Sequence, residues 1–289
     1  MPRDLLLQKV ADVDGLYCVF KNKVNKELLD RAPKLKVIST MSVGFDHIDM
    51  EECRRRGIKV GHTPGVLTET TADLVVSLLL STARRIPEAS ETVYNGKWGT
   101  DWSPFWMCGK DVHGATIGIV GMGRIGQSVA RRLSGFDCKI LYHGPREKKD
   151  LTVAATFVPK LEDLLQHSDF VVPLCLLTND TRGMFNAATF KAFKKGAYFI
   201  NAGRGQLVDQ NALIEALRSG RLGAAGLDVT DPEPLPMGHP LLDPSLKDRL
   251  LIIPHIGSAT IATRNKMAEI TTANLIAGLE GQPMPHALL

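Results

Sequence analysis

The sequence predicts an α/β protein, with a doubly wound parallel sheet in one domain and a second, smaller α/β domain. From Ala115 onward, short apolar runs alternate with amphipathic stretches of helical period, which is the order expected of βαβ units. One apolar run, Thr116–Val120, leads directly into a glycine-rich turn and then into a helical pattern from Arg124. The length of 289 residues fits about two domains of ordinary size.

The N-terminal part of the chain predicts the smaller domain. Apolar runs at residues 16–20, 36–39 and 60–63 predict three strands, and residues 26–31 predict a helix between the first two. A long helix is expected over residues 70–85, because Ala72, Val75, Val76 and Leu79 recur at helical spacing.

In the larger domain, predicted helices alternate with predicted strands. Ile125, Val129 and Leu133 share one face of the helix that follows the glycine turn. The other predicted strands cover residues 139–142, 170–173, 197–201, 224–228 and 250–253. The other predicted helices of this domain cover residues 161–166, 189–193 and 210–219, and a helix over residues 264–278 is predicted near the C-terminus, in the smaller domain. We expect the smaller domain to comprise residues 1–62 and 258–289, and the larger one residues 63–257.

Composition excludes several classes of protein. A net charge of +4 is too small to indicate binding to nucleic acid or to an anionic membrane, and no apolar run approaches the roughly 20 residues of a membrane helix. The five cysteines are scattered, without Cys-x-x-Cys pairs, which argues against a zinc site and a disulfide framework. We therefore expect no metal and a cytoplasmic location, where thiols stay reduced.

One segment, residues 94–108, is predicted to be a loop and holds Trp98, Trp102 and Trp106. Large aromatic side chains in a loop are expected to pack within it or to contact another subunit. A lid over an active site is a further interpretation.

The glycine turn is the first candidate for binding chemistry, and it comprises Gly121, Met122, Gly123, Arg124, Ile125 and Gly126. The pattern Gly-x-Gly-x-x-Gly is weak by itself, but here it follows a predicted strand and opens a predicted helix. Glycines let the backbone approach a pyrophosphate, and the helix N-terminus offers free amides and a partial positive charge. A glycine-rich turn without a ligand is the alternative, and the order of elements favours the dinucleotide site of a Rossmann fold.

The end of the next predicted strand bears on the choice of cofactor. NAD sites usually place a carboxylate there for the ribose 2′-hydroxyl, whereas this chain has Gly144, Pro145 and Arg146. Arg146, followed by Lys148 and Lys149, is suited to a 2′-phosphate. We therefore expect a preference for NADPH, with NADH possible, and the alternative is a solvated basic turn.

Three charged residues downstream of the glycine turn suggest carbonyl chemistry. Arg204 stands between Gly203 and Gly205, so a small carboxylate can approach its guanidinium, which binds such groups bidentately. His255 follows a predicted strand, and Glu233 lies in a proline-bracketed stretch. A carboxylate beside an imidazole stabilises its charged form, as a general acid requires. The alternatives are a surface arginine and a structural histidine.

Asp228 ends another predicted strand. It is placed either to bind the carboxamide of a nicotinamide or to cap the turn that follows. The residues alone leave both interpretations open.

Several motifs together resemble the D-2-hydroxyacid dehydrogenases. They lie at residues 121–126, 201–205, 226–229, 231–234 and 254–260. The stretches 35–44 and 232–236 are similar to the branch of that family that reduces glyoxylate and hydroxypyruvate. The resemblance covers essentially the whole chain and implies an oxidoreductase that reduces small 2-oxo acids to D-2-hydroxy acids with NADPH.

The resemblance implies a role for each substrate-binding residue. Arg204 would bind the carboxylate and carbonyl oxygen of the substrate, while His255, with Glu233 as its partner, would be the acid in reduction. The amides of Val43 and Gly44 would hold the carboxylate from the smaller, flavodoxin-like domain.

Further roles follow from the same resemblance. Ser258 and Asp228 would lie near the substrate, with Asp228 also near the nicotinamide. Gly144, Ala202 and Gly257 would complete the cofactor contacts. The family is commonly homodimeric, with a cleft that closes between two domains.

One departure concerns the start of the chain. Family members usually have a strand, a helix and a strand before the segment that matches residues 3–10, so the smaller domain is expected to be N-terminally truncated, with weak stability and poor activity. A phosphoglycerate dehydrogenase is the nearest alternative enzyme. A nucleotide-binding scaffold and an inactive truncated product are alternatives of other classes.

Overall fold

The computed structural model describes residues 1–99 and 103–289. It divides into two compact units, one formed by Met1–Thr70 with Ser258–Leu289 and the other by Thr71–Gly257. Each unit contains a parallel β-sheet, and the two are described in turn.

The first unit begins with alternating helices and strands. Their bounds are α1 Arg3–Lys9, β1 Gly15–Cys18, α2 Lys26–Asp30, β2 Val37–Thr40, α3 Met50–Arg56 and β3 Lys59–Gly61. The strands pair in the order β1-β2-β3. Asn25 and Asp49 begin α2 and α3 by accepting hydrogen bonds from amides of the first turn. The central strand β2 is buried at every position.

Two helices occupy the region where the sequence predicts one. α4 spans Thr68–Ala83 and α5 spans Ile86–Tyr94. The Ala83 carbonyl accepts a hydrogen bond from the Lys110 amide at 2.8 Å, and Arg85 adopts a left-handed φ of 54°, which a helix cannot include. The prediction of one helix over residues 70–85 was therefore wrong at its C-terminal end.

Within the described residues, the second unit is built on a seven-stranded sheet. The strands are β4 Thr116–Val120, β5 Lys139–His143, β6 Thr156–Phe157, β7 Phe170–Pro173, β8 Ala197–Asn201, β9 Leu222–Leu227 and β10 Leu250–Ile252. The helices among them are α6 Arg124–Ser134, α7 Leu161–His167, α8 Ala187–Ala192 and α9 Gln210–Arg218. The strand order β10-β9-β8-β7-β4-β5-β6, with parallel pairing, confirms the predicted doubly wound α/β class.

Close packing fixes α4 against the large sheet. A Cβ on Gly226 in β9 would lie 2.5 Å from Oγ1 of Thr82, so only glycine allows α4 to lie this close. Under the sheet, Phe185 and Phe199 pack edge to face with ring centroids 5.0 Å apart, within a larger buried cluster. These contacts stabilise the central strands that carry the candidate residues.

The chain returns to the first unit through α10, Ile261–Leu279. Gly278 faces β2, because a Cβ there would lie 2.7 Å from Cγ1 of Val37. The hydroxyls of Thr70 and Thr263 are 2.6 Å apart and join the first turn of α4 to α10. The first crossing between units therefore falls after Thr70, inside α4, and not at residue 62 as the sequence predicts.

The large sheet places the candidate residues at one edge. β8, β9 and β10 are neighbours, and their register aligns Asn201 with Leu227 and Leu227 with Ile252. The carboxyl ends of these strands are therefore level. The glycine turn follows β4, whose neighbours are β5 and β7. The strand order reverses there, and such switch points are where open α/β sheets bind ligands.

Candidate active site

The glycine turn joins β4 to α6. Gly121 has a φ of 105°, and a Cβ there would lie 2.5 Å from the amide nitrogen of Cys175, so no other residue fits without strain. A Cβ on Gly126 would collide with the Gly121 carbonyl oxygen. Gly123 caps the N-terminus of α6, and the position of its missing Cβ is open space. The turn thus fits a pyrophosphate, which needs close approach to backbone amides at a helix N-terminus.

The other residues of this turn differ in burial. Met122 is buried in the core, Ile125 is half-buried and Arg124 is exposed. The Arg124 side chain is therefore the most accessible of the three to solvent or a ligand.

A basic turn follows β5. The Tyr142 hydroxyl is buried and accepts a hydrogen bond from the Lys148 amide at 2.9 Å, which anchors the turn to the sheet. Arg146, Lys148 and Lys149 are exposed, and Gly144 has open space in place of a side chain. The turn therefore presents cations beside the end of β5.

The turn after β8 positions Arg204. The buried Asn201 side chain donates to the Arg204 carbonyl at 2.9 Å and accepts from the Gly203 amide at 3.0 Å. The Arg204 Nη1 donates to the Gly203 carbonyl at 2.9 Å. A Cβ on Gly205 would collide with the Thr230 carbonyl, so this glycine allows the turn to pack against the segment after β9.

A hydrogen bond joins Glu233 to His255. The His255 Nδ1 lies 2.8 Å from Oε2 of Glu233, and both side chains are about four-fifths buried, with 23% and 21% exposed. The other carboxylate oxygen, Oε1, accepts from the Thr230 amide at 2.9 Å. Because an ionised carboxylate only accepts, the proton of this pair lies on Nδ1, which leaves Nε2 for a substrate.

Asp228 holds the backbone around His255. Its carboxylate is buried and accepts from the Ile256 amide at 2.7 Å and the Gly257 amide at 2.9 Å. His255 has a φ of 53°, a left-handed conformation that costs energy in a residue with a side chain. The two bonds from Asp228 stabilise the turn in which that conformation occurs.

The surroundings shift the pKa values of Glu233 and Asp228 in opposite directions. Burial raises the pKa of Glu233, but the hydrogen bond and charge of His255, the Thr230 amide and the charge of Arg204 outweigh it, so the net pKa is lowered. Burial raises the pKa of Asp228 to about 6, against the lowering effects of the Ile256 amide and the His255 charge. Glu233 is therefore ionised at neutral pH and stabilises a charged imidazole.

The structure links Asp228, Glu233 and His255 through one turn, and Arg204 acts electrostatically on Glu233. Ala202 is half-buried beside Arg204 in the turn after β8.

The remaining predicted residues, Val43, Gly44 and Ser258, belong to the first unit, and their contact with a substrate stays a prediction.

Two supporting residues were missed in the sequence. Thr230 orients Glu233 through its amide, and Asn201 closes the Arg204 turn. The signal for Asn201 is a polar residue at the end of an otherwise apolar strand, since buried amides need partners. The Thr230 contact is made by the backbone, so no residue type could have indicated it.

In residues 1–99 and 103–289, no group of three or more His, Cys, Asp or Glu side chains is arranged to hold a metal ion. Over the same residues, no helix combines the length and apolar character needed to cross a membrane.

Comparison with known proteins gives a consistent result. Residues 76–257 match the family model for the D-isomer specific 2-hydroxyacid dehydrogenase, NAD binding domain. The glyoxylate reductase/hydroxypyruvate reductase of Mus musculus is 52% identical over 100% of this chain and 88% of its own length. The Homo sapiens protein of the same name is 51% identical with the same coverage. A glyoxylate reductase from Thermofilum pendens is 46% identical over 99% of this chain and 84% of its own.

Solved structures agree with these relatives. TT0316 from Thermus thermophilus superposes with a TM-score of 0.91 at 46% identity, covering 100% of this chain and 90% of that one. An NADPH-dependent glyoxylate/hydroxypyruvate reductase from Sinorhizobium meliloti, determined with NADP and malonate, superposes with a TM-score of 0.86 at 33% identity, covering 96% of this chain and 85% of that one. The chain belongs to the D-isomer specific 2-hydroxyacid dehydrogenase family, and it is an oxidoreductase with a nicotinamide dinucleotide domain.

Proposed function

We propose that this chain reduces small 2-oxo acids, glyoxylate and hydroxypyruvate foremost, to D-2-hydroxy acids and prefers NADPH to NADH. The observation that carries the proposal is the 2.8 Å hydrogen bond between His255 and Glu233, within reach of the charge of Arg204. A general acid and a carboxylate-binding cation are the groups that this reduction requires.

Residues at the carboxyl ends of the strands would hold the cofactor. The pyrophosphate would lie against residues 121–126 at the N-terminus of α6. Gly144 and Arg146 would face the adenosine ribose. Ala202, Asp228 and Gly257 would lie beside the nicotinamide. When bound, the nicotinamide supplies the hydride.

His255 supplies the proton. Glu233 fixes Nδ1 as a donor and holds the ring in one orientation, so Nε2 carries the transferable proton of the imidazolium. The lowered pKa of Glu233 keeps a negative charge beside that imidazolium. In the reverse direction the same Nε2, now unprotonated, accepts the hydroxyl proton.

Arg204 orients the substrate. A guanidinium binds a carboxylate through two parallel hydrogen bonds, which also fixes the plane of an adjacent carbonyl. From family membership we infer that the amides of Val43 and Gly44 hold the same carboxylate, with Ser258 nearby.

Charge supports the preference for NADPH. Arg146, Lys148 and Lys149 are exposed on the turn after β5, and Tyr142 anchors that turn through the Lys148 amide. Cations on an anchored turn suit a 2′-phosphate, because its charge is met without ordering a flexible loop.

Exposed apolar side chains support a homodimer. Between residues 86 and 105, the described large apolar residues that are more than half exposed are Ile86, Val93, Tyr94, Trp98 and Phe105. A concentration of such residues is typical of a surface that binds a partner. Trp102 lies outside the described residues.

The five cysteines are free thiols in the structure, which supports a cytoplasmic location.

A substrate panel tests the proposal. Purified chain is mixed with NADPH and with glyoxylate, hydroxypyruvate, pyruvate or 3-phosphohydroxypyruvate, and NADPH absorbance is followed. We expect the highest kcat/KM for hydroxypyruvate and glyoxylate, with the hydroxypyruvate product of D configuration. Preferred turnover of the phosphorylated acid would instead identify a phosphoglycerate dehydrogenase, and cofactor binding without any turnover would favour a scaffold.

A further inference from the structure

Three successive carbonyls in the turn that follows β2 accept hydrogen bonds. The Ser42 carbonyl accepts from the Thr63 amide at 3.0 Å, and the Val43 carbonyl lies 3.0 Å from Nδ1 of His62. The Gly44 carbonyl accepts from the Ser42 hydroxyl at 2.5 Å. Because a carbonyl cannot donate, Nδ1 of His62 carries the hydrogen in this contact.

These bonds set the direction of two amides. The peptide bonds at residues 42–44 are trans, since the described cis bonds are both near residues 231–234. In a trans peptide the N–H points away from the preceding C=O. His62 and Thr63 bind the Val43 and Ser42 carbonyls, so the Gly44 and Val43 amides point away from them. In the described part of the chain, neither amide has a protein acceptor. Successive outward amides form an anion-binding concavity.

A second chain of hydrogen bonds stabilises the same turn. The Ser42 hydroxyl uses its hydrogen on Gly44, so it accepts from the Thr40 hydroxyl, 3.0 Å away. The Thr40 oxygen in turn lies 3.0 Å from Nε2 of His47, which must donate to it. The direction of each proton in this chain is therefore fixed.

The ring of His62 is itself held in place. Phe45 packs edge-on against it, with centroids 6.2 Å apart at 83°. The His62 amide donates to the His286 carbonyl at 3.1 Å, and its carbonyl accepts from the buried Asn274 side chain at 2.9 Å. Asn274 also accepts from the His286 amide at 2.9 Å, so α10 and the C-terminal segment support this position.

We propose that His62 is a positioning residue for the substrate: by binding the Val43 carbonyl, it directs the Gly44 amide, with that of Val43, at the carboxylate of the 2-oxo acid. This inference rests on the proposed function, because it takes the bound anion to be the substrate carboxylate. His62 acts through the backbone and does not touch the substrate. Its loss should therefore weaken substrate binding and leave the chemical step and cofactor binding intact.

The test uses two substitutions with opposite expectations. In His62→Asn, the side-chain nitrogen can replace Nδ1 as donor, whereas His62→Ala has no donor. We expect His62→Ala to raise the KM for hydroxypyruvate about tenfold or more, the effect of losing the hydrogen bond from the Gly44 amide to the charged substrate carboxylate. We expect kcat and the KM for NADPH to change less than about threefold. His62→Asn should restore the KM. If His62→Ala does not fold, His62→Gln takes its place as the variant without a donor at the Val43 carbonyl, because the longer Gln side chain carries its amide one bond farther from the backbone.

A binding measurement separates this inference from the proposed function. Oxalate is titrated into each protein with NADP⁺ present, and the ¹⁵N–¹H signals of Val43 and Gly44 are followed. Weaker oxalate binding in His62→Ala, with recovery in His62→Asn, supports the positioning role even if no 2-oxo acid is reduced. An unchanged KM and unchanged oxalate affinity in His62→Ala would overturn it while leaving the reductase assignment intact.

Discussion

At the scale of single residues, His255 shows how surrounding groups determine the chemistry of one side chain. Glu233 fixes its Nδ1 and Asp228 holds the two amides that follow it, so the ring is oriented from the side chain and from the backbone. Its left-handed φ of 53° is retained because these contacts compensate for the strain.

Asp228 should make kcat/KM depend on pH. Burial raises the pKa of Asp228 to about 6. As pH falls through that value, the carboxylate gains a proton and becomes a weaker acceptor for the Ile256 and Gly257 amides. We expect Asp228→Asn to lower kcat/KM at pH 8, and the ratio of wild-type to variant kcat/KM to shrink as pH falls from 8 to 5.

The same pKa also fixes the sign of the effect on stability. A folded-state pKa above the unfolded value favours the protonated form of the native state, so this contribution is present at low pH and is lost as pH rises through about 6. The free energy of unfolding of the wild type should therefore gain on that of Asp228→Asn between pH 6 and pH 4 in urea titrations. A pH-independent difference in both assays would show that Asp228 does not titrate there.

Arg146 should determine the choice between cofactors. Replacing it by Asp places a carboxylate after β5, where it repels a 2′-phosphate and can accept from a ribose hydroxyl. We expect Arg146→Asp to lower the ratio of kcat/KM for NADPH to that for NADH by about 10- to 100-fold, the range for a hydrogen bond to a charged group. Lys191→Ala, at an exposed position on α8, should leave the ratio unchanged. An unaltered ratio in Arg146→Asp would show that the basic turn is solvated and does not bind the 2′-phosphate.

The sequence could indicate these residue types but not their contacts. Glu233 and His255 are 22 positions apart, and Asp228 reaches two amides nearly 30 positions away. Such pairs depend on the register of β9 and β10, which no local pattern encodes. The Thr230 contact was missed for a different reason, since a backbone amide leaves no trace in residue identity.

At the scale of elements, the glycines of the β4–α6 turn have two different roles, close packing and ligand binding. Gly121 and Gly126 are required because side chains would collide with backbone, whereas Gly123 faces open space. The same sequence pattern thus contains glycines of two kinds.

Two alanine substitutions should distinguish these kinds. Gly123→Ala should leave Tm unchanged and raise the Kd for NADPH about tenfold, because the added methyl group occupies space that the pyrophosphate needs. Gly121→Ala should lower Tm, since its φ of 105° and its contact with Cys175 both exclude a side chain. Thermal melts and NADPH fluorescence titrations measure the two effects. A normal melt for Gly121→Ala would contradict the packing argument.

Some elements were predictable and others were not. Thr116–Val120, Phe170–Pro173 and Ala197–Asn201 are buried strands with continuous apolar runs, so their predicted bounds agree with the structure. The sequence analysis missed α1, α3 and α5, and also β6, which has only two residues. α5 has only nine residues, which is too short a stretch for the spacing of apolar residues to identify a helix.

At the scale of the whole molecule, the exposed apolar residues after α4 are the strongest indication of self-association. Tyr94 is 88% exposed and Phe105 is 86% exposed. We expect the wild type to have twice the 31.6 kDa mass of the chain in size-exclusion chromatography with light scattering, and Tyr94→Glu with Phe105→Glu to shift it toward monomer. Met237→Glu is a matched control, since Met237 is 95% exposed in another segment. A monomeric wild type would refute the dimer.

The fold class was predictable because alternation of strands and helices, with one glycine turn, restricts an α/β chain to few topologies. The division of the chain into two units was less predictable from the sequence. Its first crossing lies inside α4, where the hydroxyl pair of Thr70 and Thr263 joins residues distant in the chain.

The central claim is that Arg204 and His255 act on one 2-oxo acid beside a bound nicotinamide. The most direct measurement is kcat/KM for hydroxypyruvate reduction by Arg204→Ala and His255→Gln, with the Kd for NADPH determined in parallel by fluorescence. We predict that each substitution lowers kcat/KM by about 10²- to 10⁴-fold, while the Kd for NADPH stays within about threefold. If either variant kept kcat/KM within about tenfold of the wild type, that residue would have no part in the reduction.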